Sequence, residues 1–170
     1  MEMHSEFLCW YSKARQYRPG FILLSGSLPA AEWEVTGPAR PEGCSPYCLI
    51  QGMGRYRIAA PCRLQRETFQ SHDILFVTRG DFAVGMGGRQ ISLHPGEAIL
   101  TGQHCRYTVT CEETDGSLFI LSFCGTAGEQ YEEILKGGTA GKNGIALRSL
   151  QKMETLLQSL RFMLEFPSRA

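Results

Sequence analysis

The chain has 170 residues, with 17 Lys and Arg balanced by 17 Asp and Glu, so its formal charge at neutral pH is zero. That length supports one main domain with a single sizeable core plus an appendage, and the balanced charge leaves no electrostatic footprint for nucleic acid in this piece. No run approaches the roughly 18 consecutive apolar residues of a membrane span, and the opening MEMHSEFLCW has no basic region followed by an apolar core.

A soluble, cytoplasmic protein without membrane contact is therefore expected. Seven cysteines (Cys9, Cys44, Cys48, Cys62, Cys105, Cys111, Cys124) form an odd set with no C-x-x-C pair, which suits reduced thiols better than a disulfide framework. Cys44 and Cys48 have no second pair with which to hold a structural zinc.

From about Phe21 to Phe123 the chain is a succession of short runs punctuated by Gly, Pro and Asp: FILLS, YCLIQGMG, YRIAA, DILFVTRG, FAVGMGG, QISLHPG, AILTG, YTVT and LFILSF. Runs of this length, rich in β-branched and aromatic residues, predict an all-β sandwich or barrel rather than alternating β and α units. Met86-Gly87-Gly88 predicts a hairpin turn, because glycine supplies positive φ, and Glu112 to Gly116 reads as a polar loop. The Pro- and Gly-rich segment 37–46, GPARPEGCSP, reads as a connector before the barrel or equally as a flap.

After Phe123 the pattern changes. Residues 128–136, GEQYEEILK, predict a short helix, and 137–144, GGTAGKNG, a flexible link. The link is no phosphate-binding loop: Lys136 stands where the first glycine should be, Asn143 replaces Ser or Thr, and no strand precedes it. Ile145 to Phe166 reads as one helix ended by Pro167. Ala146, Leu150, Met153, Leu157, Leu160 and Leu164 form an apolar seam with spacings of four and three, and Leu147, Leu156 and Met163 widen it. Packing of this seam on the chain's own barrel and a two-helix homodimer contact through Leu150, Met153, Leu157, Leu160 and Leu164 both remain open.

The stretch from Arg66 to Gly125 resembles the sensor domain of AraC/XylS-type transcription regulators. Asp73 with Gly80 frames an acid, an apolar run and a glycine; the Gly87-Gly88 hairpin follows; Leu93-His94-Pro95-Gly96-Glu97 matches an apolar-x-Pro-Gly-acid turn; and LFILSFCG resembles the family's last strand. The resemblance implies a mainly β fold, a cupin double-stranded β-helix or jelly-roll barrel over residues 1–127, followed by α-helices over 128–166 that serve dimerisation or linkage. It also implies a small-molecule effector, a sugar or other small metabolite, and a homodimer. Promoter DNA would be bound only through a helix-turn-helix domain absent from this chain.

Enzymatic cupins hold a metal with an H-x-H pair, a carboxylate and a third histidine. Aligning on Asp73-x6-Gly80 places Glu67 and Phe69 at the H-x-H positions and Asp73 at the carboxylate; aligning on Gly96 places Tyr107 at the third histidine. Two carboxylates without imidazole make a poor transition-metal site, so no metal, no cofactor and no enzymatic activity are expected. His4, His72, His94 and His104 are expected at the surface or in turns. An inward Asp73 carries Leu75 and Val77 with it, and an inward Tyr107 carries Val109, giving an apolar chamber with a few polar groups. Arg66, Glu67, Asp73 and Tyr107 are the candidate ligand contacts, with Trp33 as a lid from the N-terminal arm. The competing readings are a stand-alone cupin enzyme, either a metal-dependent oxygenase or a sugar isomerase, and a cupin scaffold without a regulatory role.

Overall fold

The computed structural model describes residues 20–38, 47–68, 71–102, 105–131, 144–146 and 150–166. Eleven strands carry most of it: β1 (Ile22–Ser25), β2 (Ala30–Thr36), β3 (Leu49–Ile58), β4 (Cys62–Thr68), β5 (His72–Arg79), β6 (Phe82–Met86), β7 (Arg89–Leu93), β8 (Glu97–Leu100), β9 (Cys105–Cys111), β10 (Gly116–Cys124) and β11 (Gly144–Ala146). They form two antiparallel sheets, a five-stranded one ordered β1-β4-β9-β6-β7 and a six-stranded one ordered β11-β8-β5-β10-β3-β2. This is the all-β barrel expected from the runs of the sequence, in the jelly-roll form that the resemblance implied.

Alternation along each strand decides what lies inside. In β4 the buried set is Cys62, Leu64, Arg66 and Thr68, and in β9 Tyr107, Val109 and Cys111. Strand β10 differs: eight of its nine residues, all but Leu121, are buried. It lies between β3 and β5 and is covered on both faces, so it reads as a continuous apolar run rather than an alternating one. The β6–β7 connection is the predicted hairpin, with Gly87 and Gly88 at φ of 58° and 75°, both in the left-handed region that a tight hairpin of matching twist requires.

Two apolar clusters result. The first fills the barrel with Tyr56, Ile58, Leu64, Leu75, Val77, Phe82, Val84, Ile99, Tyr107, Val109, Leu118 and Ile120 among others. The second lies on the outer face of the six-stranded sheet, where Val35, Met53, Phe76, Ala98 and Phe119 meet Leu157 of the long helix Leu150–Glu165. Leu150, Met153, Leu160 and Leu164 pack against the same cluster. The apolar seam read from the sequence is thus laid on the chain's own sheet, the first of the two packings left open for it.

The helix starts at Leu150, not at Ile145. Gly144–Ala146 instead pairs antiparallel with β8, Ile145 opposite Ala98. Side-chain periodicity carries no information about an open strand edge, and β8 offered one. Residues 126–131 are helical, within reach of the helix predicted over 128–136. The remainder of that helix, the link 137–143, most of the 37–46 connector, and Phe69, His4 and His104 lie outside the described residues.

Candidate functional site

One level of the barrel is polar. Arg66 on β4 lies opposite Tyr107 on β9, and Asp73 on β5 lies opposite Ser122 on β10, so two side chains from each sheet face one another across the interior. Arg66 donates from Nε to Asp73 Oδ2 at 2.5 Å and from Nη2 to Oδ1 at 3.2 Å and to Ser122 Oγ at 3.2 Å. Tyr107 donates its hydroxyl to Asp73 Oδ2 at 2.8 Å, and Ser122 donates to Oδ1 at 2.5 Å. Each carboxylate oxygen therefore accepts two hydrogen bonds. Relative exposures are 6% for Arg66, 0% for Asp73 and Tyr107, and 1% for Ser122.

The next level is wholly apolar: Ile120 beside Leu75 and Ile99 on one sheet, Leu64 beside Val109 and Val84 on the other. A charge pair against such a wall gains strength from the low local dielectric, but only because every lone pair of the carboxylate is met. The backbone pins it further. Thr101 Oγ1 accepts from the Asp73 amide at 3.1 Å, and the Thr101 amide donates to the Asp73 carbonyl at 2.9 Å.

Of the residues singled out from the sequence, Arg66, Asp73 and Tyr107 come together, with Leu75, Val77 and Val109 inward as the alternation required. Glu67 does not join them. It lies on the outer face of the five-stranded sheet, where Arg106 Nε donates to it at 2.6 Å. The inward set of β4 has even numbers, so placing Glu67 at the first H-x-H position was one residue out of step, and such a shift turns a side chain to the other face. Arg66 and Thr68 hold the inward places.

Trp33 is no lid. Its ring packs 5.5 Å from Phe119 beneath the long helix, with the Arg161 guanidinium 4.5 Å above its centroid, on the outer side of the sheet. Ser122 was missed. The available signal was its place two residues after Ile120 and four after Leu118, a lone hydroxyl in an inward apolar row.

His72 is also corrected. It is fully buried, stacked 5.5 Å from Phe123, and not at the surface. It belongs to the outward row of β5, and the helical residues 126–131 come down over it. A Cβ on Gly128 would stand 2.3 Å from His72 Nδ1. Gly128→Ala is accordingly expected to lower stability by about 1–3 kcal/mol, the usual cost of overpacking, in a chemical denaturation experiment. An unchanged midpoint would show that the helical segment can lift off without loss.

His94 is the exposed turn residue expected, hydrogen-bonded at 2.8 Å to Asp81, whose carboxylate raises its pKa above the ordinary histidine value. Cys62 and Cys111 stand opposite each other on β4 and β9, and burial raises both thiols above their usual range.

Metal ligation does not suit this interior. The one inward carboxylate already carries a guanidinium, the inward positions described here hold no imidazole, and no group of three His, Cys, Asp or Glu is placed for a metal among the described residues. A separate groove of about 640 Å³ lies outside the barrel between the long helix and Arg55, bordered by Glu154, Gln158 and Phe162. The six-stranded sheet separates it from the polar level.

No protein-family model matches the sequence, and no curated protein matches it either. Solved structures do resemble the fold. YhaK from Escherichia coli matches with a TM-score of 0.51 at 12% identity, over 70% of this chain and 52% of that one, so this chain spans about half of that protein. A cupin 2 conserved barrel domain protein from Salinispora arenicola matches with a TM-score of 0.43 at 9% identity, over 62% and 83%. A Klebsiella pneumoniae protein with a double-stranded β-helix domain matches with 0.45 at 10%, over 61% and 83%. The fold is a cupin double-stranded β-helix, mainly β with a helix after it. No helix among the described residues is long and apolar enough to cross a membrane.

Proposed function

We propose that this chain is the effector-binding domain of an AraC-type transcriptional regulator: it takes up a sugar or other small metabolite at the Arg66–Asp73–Tyr107–Ser122 level, acts as a dimer in the cytoplasm, and controls a helix-turn-helix domain outside this chain. The observation that carries the reading is the single polar level within an apolar barrel. A small number of convergent polar groups against an apolar wall is the usual composition of a small-ligand site. Hydroxyls of a polyol can replace the Tyr107 and Ser122 donors on Asp73 one for one, whereas a general base needs a free lone pair and Asp73 offers none in this state.

A ligand that exchanges these bonds acts on the domain only through unequal affinity for two arrangements of it. The four polar groups bridge both sheets, so a ligand bound among them reports on the spacing of the sheets. The competing reading, a stand-alone cupin enzyme, draws no support from the donor set.

The test is the thermal midpoint of the purified chain against sugars, aromatic acids and divalent metals, beside Tyr107→Phe. A ligand at 100 times its dissociation constant adds about 2.7 kcal/mol to native stability. The reading expects a rise with an organic compound that is kept or enlarged in Tyr107→Phe, which frees the Asp73 oxygen the ligand hydroxyl would take. A rise with metals alone would move the protein to the enzymes, and no rise with any compound would leave a scaffold domain.

A further inference from the structure

Cys62 opens β4 and Cys111 closes β9, and the antiparallel register sets them directly opposite each other. Both belong to the inward rows of their strands and to the barrel core, at 2% and 1% exposure. Among the described residues no other cysteine has this arrangement: Cys105 stands opposite Thr68, Cys124 opposite Leu49, and Cys48 is exposed before β3. Residues directly opposite on antiparallel strands have Cα atoms about 4.5 or 5.5 Å apart, and a disulfide needs about 4.4–6.8 Å, so the backbone already holds the span of a bridge.

The two thiols lie under two turns. Cys62 donates its S–H to the Ser27 carbonyl, in the turn between β1 and β2, at 3.2 Å, and Cys111 donates to the Thr114 carbonyl, in the 112–115 loop, at 2.8 Å. The cover is thin, since Ser27 and all of 112–115 are exposed.

We propose that Cys62 and Cys111 form a thiol–disulfide modification site, which a hydroperoxide closes into a cross-strand bridge within one chain. One thiolate attacks the hydroperoxide oxygen; the O–O bond breaks, the sulfur becomes a sulfenic acid, and an alcohol or water leaves with that thiol's proton. The second thiolate attacks the sulfenic sulfur, the S–S bond forms, and the hydroxyl departs as water with the second proton. Two electrons pass from the sulfurs to the peroxide.

Burial holds both thiols above their ordinary range, and Cys62 adds to the rise at Cys111. The closed barrel therefore keeps the pair protonated, and the first step is slow. The second needs no encounter, because the facing residue carries the partner sulfur. The bridge ties β4 to β9, the strands that carry Arg66 and Tyr107, and takes the S–H donors away from Ser27 and Thr114. It stands independently of what the barrel binds.

Incubation of the full chain with hydrogen peroxide, blocking of the remaining thiols in denaturant and peptide mapping without reductant test this, with Cys48→Ser and Cys111→Ala compared. The wild type is expected to lose the Cys62 and Cys111 thiols in step and to give one peptide pair joining them, from a chain that runs as a monomer on a non-reducing gel, undone by dithiothreitol. Cys48→Ser, at an exposed position, should give the same link, and Cys111→Ala none; the wild-type map decides even where Cys111→Ala weakens the core. A link between other cysteines or between chains, both thiols still open to blocking after Cys48 is consumed, or a link formed only in urea would each overturn the proposal.

Discussion

Arg66→Met is expected to destabilise the domain by about 3–5 kcal/mol in urea denaturation, the cost of leaving a buried charge without its partner. Asp73 is fully buried and receives two of its four hydrogen bonds from this guanidinium. Tyr107 and Ser122 remain, but neutral donors do not offset a full negative charge against an apolar wall. The paired variant Arg66→Met with Asp73→Leu should recover most of the loss, because a buried ion pair exchanged for apolar groups of similar volume is often neutral. A single-variant loss below about 1 kcal/mol would show that water reaches Asp73 and that the polar level is open rather than sealed, a departure far smaller than a stranded buried charge allows.

The second large effect belongs to the outer face of the six-stranded sheet, beneath the long helix. Phe119 is 1% exposed and lies between Trp33 at 5.5 Å and Phe76 at 6.2 Å, with the Arg55 guanidinium 5.3 Å from its centroid. Phe119→Ala is expected to cost about 3–5 kcal/mol, the range for deleting a buried ring. Limited proteolysis should also cut within Leu150–Glu165 sooner, since the helix rests on this cluster. Leu156→Ala, at an exposed position of the same helix, should stay within about 0.5 kcal/mol. Equal losses from the two variants would mean that the helix is not held by the sheet.

Alternation made the barrel legible. It shows which residues share a face, and one anchor then assigns the face: with Asp73 inward, Leu75 and Val77 follow, and Tyr107 brings Val109. Where the anchor was borrowed, parity slipped. The H-x-H alignment put Glu67 inside, but β4 presents Arg66. Trp33 looked free to cover a chamber because nothing in its own run tells which sheet it joins or what crosses over it. His72 and Asp73 are consecutive, so a strand with Asp73 inside must turn His72 outward. Outward meant solvent only until residues 126–131 and Phe123 were seen to cover that side. Strand β11 depends on an edge left open by β8 and has no signature of its own.

The order of strands also governs how the molecule can assemble. In the six-stranded sheet β10 lies between β3 and β5, and its residues meet partners as distant in sequence as Leu49, which stands opposite Cys124. Until β10 emerges, β3 and β5 have no common neighbour and the faces that will hold both cores stay wet. Closing such long loops before any contact rewards them makes folding slow, on the scale of about milliseconds to seconds for barrels of this kind. A nascent chain ending before Gly116 holds every inward residue of the five-stranded sheet and still cannot seal Asp73 beside Ser122. Completion of the barrel is thus a late, all-at-once event that waits on the last long strand.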